Sequence, residues 1–381
     1  MEDIIKLLLT DYTLRNVAIG ASILGLVSGS LGTFAFLRKE SLMGDVVAHS
    51  SLLGITLIFI LTYLLTGMGL KNEPMLMLGA VISGIIAMIF VSKITSDSRI
   101  KSDSAMGIIL AIFFGGGMFL LTMIQQSNIE NKAGLSSYLF GSAATISHQN
   151  VWMMSVLGFM AVLLMFIFWK EFKVHTFDPD FGETIGVNRK NTNLLIISVI
   201  VIAIVIGLQA VGVILMVALI VAPPSAARQW TNNLKIMTII SAIIGLVSGL
   251  IGAIASSLVS NLPTGPTIVL VATFIFIISV LFSPKRGIIS ELIRKYKDKR
   301  RILISLALSD MYYLEMNHDD RMSFGHSSKV IDKMNPINYN IQKSLTIMKS
   351  EGLVNEVAKD NWKLTDKGID RAKMIQQEKG N

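Results

Sequence analysis

Two side chains stand out against an apolar background: Asp45 and His49, in the stretch Gly44-Asp45-Val46-Val47-Ala48-His49-Ser50-Ser51. On a helix, residues four apart share a face, with Cβ atoms about 6 Å apart. A carboxylate and an imidazole at that spacing both reach one divalent cation, and a hydrated pocket makes an otherwise costly membrane-embedded aspartate tolerable. The insertion cost, about 2.5–3.5 kcal/mol for a central Asp, argues for a compensating role. A plainer arrangement fits the same spacing, with Asp45 capping a helix at the interface and His49 hydrogen-bonding a neighbouring helix. Two ligands do not complete a metal site, so others would come from elsewhere in the chain or from a second subunit. His148, His175, His318 and His326 read as solvated residues of loops or of the C-terminal tail. Cysteine is absent, which excludes a thiolate metal site, a disulfide scaffold and a cysteine nucleophile.

The elements that would position this pair are membrane helices. Of the 381 residues, 52% are hydrophobic and 16% charged, where soluble domains carry about 25% charge. Crossing ~30 Å of hydrocarbon takes about 20 helical residues, and eight apolar runs approach or exceed that length, near 16–37, 46–66, 75–92, 105–124, 151–169, 193–222, 234–258 and 265–283. The N-terminus opens Met1-Glu2-Asp3 without a basic segment or a cleavage site after the first run, which reads as a retained span. The sixth run is too long for one upright helix. Gly207 and Gly212 bracket Leu208-Gln209-Ala210-Val211, and Pro223-Pro224 closes the run, so two short passes with a break near Gln209 are expected. Nine passes with the N-terminus outside put eleven Lys/Arg in the inward loops 38–44, 93–104, 170–190 and 223–235, against Lys6, Arg15, Lys71 and Lys132 outside. With eight passes, no orientation keeps both the 170–190 loop and the basic region after 284 on the cytoplasmic side. Glycines recur in the passes (Gly20, Gly25, Gly29, Gly32; Gly245, Gly249, Gly252) at the spacing of close helix packing.

Net charge is +8, and +6 of it falls in residues 285–301. A uniformly basic nucleic-acid binder is thereby disfavoured, because the excess marks the exit of the last pass. The expected organisation is an all-α polytopic membrane domain over 1–284, a basic linker over 285–301 and a small cytoplasmic domain over 302–381.

Six stretches together carry a resemblance. They are the Asp45/His49 stretch, Lys101-Ser102-Asp103-Ser104-Ala105-Met106-Gly107, Leu135-Ser136-Ser137-Tyr138-Leu139-Phe140-Gly141, Phe177-Asp178-Pro179-Asp180-Phe181-Gly182-Glu183-Thr184-Ile185-Gly186, Leu208-Gln209-Ala210-Val211-Gly212-Val213, and Leu262-Pro263-Thr264-Gly265-Pro266-Thr267 followed by Phe282-Ser283-Pro284-Lys285-Arg286-Gly287. In this order and spacing, across residues 10–287, the chain resembles the permease subunits of manganese, zinc and iron ABC importers, whose fold is similar to that of vitamin B12 and siderophore permeases. The resemblance implies a pair of membrane subunits working with two cytoplasmic ATPase subunits and an extracytoplasmic metal-binding protein. It implies that Asp45 and His49 lie on the translocation path, a pair of chains then offering two carboxylates and two imidazoles. Oxygen and nitrogen donors without thiolate favour transported Mn(II) over copper or a thiolate zinc site, with Zn(II) and Fe(II) as the other family cargoes. It further implies that Phe177, Asp178, Pro179, Phe181, Gly182 and Gly186 belong to the segment that docks into the ATPase: Asp178-Pro179 opens a short helix, Phe181 supplies an apolar knob and Gly186 a terminator. A phosphate-binding Gly-Lys-Ser/Thr loop is absent, so ATP hydrolysis belongs to another chain.

The tail suggests helices over 302–314 and 339–350, strand-like runs over 352–357 and 362–365, and a closing helix from Asp366, an outline similar to winged-helix domains of metal-dependent repressors. A membrane-tethered DNA-binding regulator is the rival this raises. Residues 302–381 carry no net charge, however, and the would-be recognition helix offers Asn338, Asn340, Gln342, Lys343 and Lys349 but no arginine, a weak phosphate clamp. A gradient-driven metal carrier is a second rival, and it would need more charged groups within the passes.

Overall fold

In hydrocarbon every backbone N–H and C=O must be satisfied within the chain, so a long apolar run has little choice but helix. The computed structural model describes residues 11–67, 72–127, 129, 135, 148–259, 262–316, 325–333 and 340–379, and it divides into two units, 1–287 and 288–381. Among the described residues, nine helices of the first unit are long and apolar enough to cross a membrane. They are α1 (Tyr12–Leu37), α2 (Met43–Thr66), α3 (Glu73–Asp97), α4 (Ser102–Gln126), α5 (His148–Ile167), α8 (Arg189–Val211), α9 (Val213–Trp230), α10 (Leu234–Leu258) and α11 (Thr264–Phe282), with the short α6 (Trp169–Phe177) and α7 (Pro179–Thr184) between α5 and α8. Met1, Lys6, Lys71, Lys132 and all but Leu135 of the 135–141 stretch lie outside the described residues.

Close approach of backbones organises this unit. A Cβ on Gly25 of α1 would lie 2.1 Å from the Gly245 carbonyl oxygen of α10, so both positions must stay bare for the helices to meet there. One turn on, Ser241 donates its Oγ–H to the Gly29 carbonyl at 2.6 Å, a buried bond that fixes the register of the same pair.

The sixth run divides, but not as the sequence suggests. Gln209 lies inside α8, and the break is at Gly212, whose φ of 84° and ψ of 172° end one helix and begin the next. Pro223 and Pro224, expected to stop the run, instead sit buried within α9, which continues to Trp230. Each proline removes one N–H and frees the carbonyl four residues earlier. The Ile220 carbonyl freed by Pro224 faces the bare Cα of Gly32, where an added Cβ would come within 2.2 Å of its oxygen. A neighbouring helix packed this tightly leaves the freed carbonyl in a Cα–H contact, and the helix is kept.

The second unit contains α12 (Ile288–Met316), β1 (His326–Ser327), α13 (Ser328–Lys333), α14 (Ile341–Ser350), β2 (Val354–Ala358), β3 (Asn361–Leu364) and α15 (Asp366–Lys379). Its sheet is antiparallel in the order β1-β3-β2, with His326 opposite Trp362 and Val354 opposite Leu364. Leu308, Met311, Leu345, Met348, Leu353 and Leu364 meet in its core. The expected order of helix, helix, hairpin and helix is present, with β1 and α13 in addition. The helix expected over 302–314 is the second half of a longer one, so most of the basic stretch 285–301 is helical rather than extended. Asn340 caps α14 by accepting from Lys343 N at 3.0 Å, while His318, Asn338 and Tyr339 lie outside the described residues.

Candidate functional site

Asp45 falls in the first turn of α2, inside the helix rather than at its capping position, which is Leu42. Its carboxylate therefore faces the side of the helix, near the positive end of the helix dipole. One turn on, His49 packs edge-on against Phe114 of α4 with ring centroids 4.8 Å apart, and its Nδ1 is buried without a hydrogen-bond partner. Both side chains line a cavity of about 850 Å³ whose other walls are Phe114, Met118, Leu121, Thr122 and Gln125 of α4, residues 211–215 and Val217 around the α8–α9 break, and Gly265 and Pro266 at the start of α11. The α4 residues recur at helical spacing along one face, from Phe114 to Gln125, which makes the cavity a corridor extending roughly 16 Å along that helix. Gly44 packs against Val217, where a Cβ would meet the valine side chain at 3.3 Å, so α2 and α9 close the wall beside Asp45.

Three of the stretches singled out in the sequence, around residues 45, 212 and 265, thus converge on one cavity. The α4 wall was not anticipated; its only sequence signal is the pair Thr122 and Gln125, polar and three residues apart in an apolar run. Among the described residues, no group of three or more His, Cys, Asp or Glu is placed to hold a metal ion.

The 177–186 segment builds a second feature. Asp178 caps α7, its Oδ1 accepting from Phe181 N at 2.9 Å, Pro179 takes the first helical position, and Gly186 ends the segment at φ 87°. Gly182 lies against Val174, where a Cβ would sit 3.0 Å from the valine methyl, holding α7 onto α6. Phe177, Phe181 and Ile185, four residues apart, are all more than half exposed, a row of apolar knobs of which the sequence reading identified the first two. Phe172 of α6 is fully buried and stacks edge-on with Phe34 of α1 at 5.4 Å, so the exposed knobs stand on an anchored base.

His175 departs from expectation. It is half-buried, not a solvated loop residue, and lines a cavity of about 660 Å³ with Arg38, Glu40, Ser92, Arg189, Lys190 and Asn193. Burial, then the Arg38 charge, then that of Arg189, push its pKa down to about 4 against the opposing effect of a hydrogen bond that the ring donates to Asn193, so the ring is neutral at pH 7. The same cavity holds a chain of bonds: Arg38 pairs with Glu40 at 2.9 Å and donates to Asn193 Oδ1 at 2.6 Å, and Asn193 Nδ2 donates to Ser92 Oγ at 3.0 Å. Helices α1, α3 and α8 are thereby joined beside the 177–186 segment. The 282–287 stretch has a tying role as well: Ser283 Oγ donates to the Gln229 carbonyl and Arg286 to Asn232 Oδ1 at 3.1 Å, fastening the end of α11 to the α9–α10 connection.

Comparison with known proteins agrees with this geometry. The model of the ABC 3 transport family matches residues 10–283. The zinc transport system membrane protein TroC of Treponema pallidum is 43% identical over 288 residues, 76% of this chain and 95% of that protein. The manganese transport system membrane protein MntC of Bacillus subtilis is 36% identical over 359 residues, covering 93% of this chain and 80% of its own length, so the likeness runs on into the second unit. Among solved structures, PsaBC from Streptococcus pneumoniae in complex with Fab superposes with a TM-score of 0.63 at 30% identity, over 75% of this chain and 97% of that one. A metal-chelate type ABC transporter in an inward-facing conformation, at 14% identity and TM-score 0.54, shares the fold. With the family matched across all nine candidate spans, the chain belongs to the ABC 3 transport family as a permease subunit of metal-importing ABC transporters, whose ATPases are separate chains.

Proposed function

We propose that this permease imports a divalent transition metal, Mn(II) in preference to Zn(II) or Fe(II), along the corridor that Asp45 and His49 flank. The observation that carries the reading is the buried, unpartnered Nδ1 of His49 on the same cavity wall as the Asp45 carboxylate. A polar atom buried without a partner costs about 1–3 kcal/mol, and a passing cation would supply what is missing. Carboxylate and imidazole without thiolate suit Mn(II). The relative that matches this chain through both units is named for manganese, although the TroC likeness, at higher identity, is to a zinc protein.

In this reading the chain enters the membrane from outside, the 170–190 loop and the second unit are cytoplasmic, and the positive-inside distribution of Lys and Arg sets that orientation. A second permease, identical or homologous, completes the ligand set across a shared axis. An extracytoplasmic binding protein delivers the metal, and two cytoplasmic ATPase subunits dock on Phe177, Asp178, Pro179, Phe181, Gly182 and Gly186, the exposed phenylalanines entering their surface. Residues 302–381, without net charge and without an arginine on α14, give no support to a DNA-binding role.

Uptake of Mn(II), Zn(II) and Fe(II) by the reconstituted complex tests this. Asp45→Ala and His49→Ala each lower Mn(II) uptake at least tenfold while the ATPases still assemble. Wild-type uptake by both variants would overturn the site, and uptake in which Zn(II) outruns Mn(II) would overturn the metal preference.

A further inference from the structure

The first half of α12 is exposed on nearly every side. From Ile288 to Ile302 only Ser290 is even partly covered, and burial begins at Leu303 and Ile304, where the helix joins the core of the second unit. Ile288, Leu292 and Tyr296 recur at four-residue spacing, as do Ile289 and Ile293, so five large apolar side chains form one stripe; Leu292 is 61% and Tyr296 65% exposed. The opposite face carries Glu291, Arg294, Asp298 and Arg301, and the stripe is bordered by Lys295 on one side and Lys297 on the other and closed at its C-terminal end by Lys299 and Arg300. Apart from the Arg300–Glu351 ion pair at 3.0 Å near its end, this stretch is not packed against other elements, and a helix of about fifteen residues without packing is marginal in water. A single apolar stripe bordered by cations is the pattern of a helix lying in the plane of a membrane surface.

The chain itself says which surface is within reach. The last span, α11, ends at the exposed Phe282, and only residues 283–287 separate it from α12. Fully extended, five residues reach at most ~18 Å; here the Gly287 N–H bonds back to the Ser283 carbonyl at 2.9 Å and Ser283 is itself held to Gln229, so the connection is a turn and the reach is shorter. The start of α12 therefore cannot leave the headgroup layer in which α11 ends. Residues 285–301 carry a net charge of +6, complementary to anionic phospholipid.

We propose that residues 288–302 form an interfacial helix that buries Ile288, Ile289, Leu292, Ile293 and Tyr296 at the acyl boundary and holds anionic phospholipid headgroups with Lys295, Lys297 and Lys299. The second unit is then attached to the membrane through a lipid-sensitive element and not through a free linker. Near an anionic surface, each cation shifts such an equilibrium by about fivefold, so membrane composition decides how firmly the helix lies down.

The absence of cysteine makes the test direct. Leu292→Cys, Tyr296→Cys and Arg294→Cys permeases each receive one environment-sensitive fluorophore and are placed in nanodiscs of phosphatidylcholine, with or without phosphatidylglycerol, with bromine on the acyl chains as a quencher. Labels at 292 and 296 are expected to be quenched severalfold more than the label at 294, and more strongly when phosphatidylglycerol is present. Lys295→Gln, Lys297→Gln and Lys299→Gln together abolish the phosphatidylglycerol dependence and leave the fold of the labelled protein unchanged by size-exclusion chromatography. Equal quenching at 292 and 294 overturns the proposal. A label at 292 that is shielded from water yet unquenched by brominated lipid also overturns it, because protein, a second copy of the helix included, then covers the stripe.

Discussion

Gly212 is the one residue at which the corridor depends on a backbone conformation closed to other amino acids. At φ 84° and ψ 172° it occupies a region populated almost solely by glycine, where any Cβ costs of order 1–3 kcal/mol. Gly212→Ala has two ways to respond. The chain can relax into helix, joining α8 to α9 in one rod over residues 189–230, about 63 Å long and twice the ~30 Å thickness of hydrocarbon. That outcome would drive charged residues at one end into lipid, so the break persists and the strain stays. An unfolding entropy of about 2.1 cal/mol/K per residue makes this roughly 1.2 °C per kcal/mol for a chain of 381 residues, so the variant should unfold about 1–4 °C below wild type, followed by tryptophan fluorescence in detergent. Residues 211–215 line the corridor, so in the proposed function metal uptake should fall in parallel. Gly107→Ala is the control: in α4 an added methyl meets nothing within 4 Å, and exchanging glycine for alanine inside a helix gains up to about 1 kcal/mol. If Gly212→Ala melts with wild type while Gly107→Ala behaves as stated, the break is not held by the glycine and the corridor geometry built on it is wrong.

Two further outcomes follow from the polar cavity beside the 177–186 segment. The His175 pKa is about 4 when folded and 6.5 in a free chain, so the unfolded state binds more protons between those values; the native advantage is complete above pH 6.5 and declines as pH falls toward 4. The full shift corresponds to about 3 kcal/mol, which solvent screening of a half-exposed ring reduces to about 1 kcal/mol; thermal stability should therefore drop more between pH 7 and pH 5 in wild type than in His175→Gln, and identical slopes would remove His175 as the cause. Asn193→Leu takes away the acceptor of Arg38 and the donor to Ser92, at a cost of about 1–3 kcal/mol, and in the proposed function it should lower metal transported per ATP hydrolysed while ATPase binding persists. A wild-type ratio would show that the bonds stabilise without transmitting anything.

Much of the fold was legible because membrane helices leave a coarse signal. Each of the eight apolar runs became helix, and the ninth pass was recoverable from glycine punctuation and loop charge together. What escaped was decided by neighbours. Pro223 and Pro224 look like a stop in isolation and are not one, because Gly32 of α1 offers the freed Ile220 carbonyl a close surface, and no local pattern announces that. His175 looked solvated because it stands among Lys170, Lys173, Arg189 and Lys190; its burial comes from Arg38 and Asn193, remote in sequence and adjacent in space. Of the candidate site, the pair Asp45 and His49 was visible from its four-residue spacing, but the wall it faces was not, since Phe114, Met118 and Leu121 differ in no way from residues that line lipid. In the second unit, β1 is two residues long and is a strand only because β3 accepts it, so no run of residues could have marked it.

One helix reaches both cavities. The first turns of α8 carry Arg189, Lys190 and Asn193, which line the cavity beside the 177–186 segment, and its last residue, Val211, lines the corridor. Between them lie 23 residues without proline, about 34 Å of rod, and most of the helix from residue 196 to 206 is buried. Interiors packed to that density do not absorb displacement by local compression; they shift as units. In the proposed function, a push on the 177–186 segment would reach the first turn of α8 through Arg189, which is paired with Asp180 at 2.9 Å, and would travel along α8 as a rigid movement. The first place where the backbone leaves the helix is Gly212, so in that reading the movement would be expressed as a change of angle there, in the cavity wall shared with Asp45 and His49. Coupling of this kind would need no relay of side chains through the membrane: a rod tied down by polar bonds at one end and broken at a glycine at the other would do the same work.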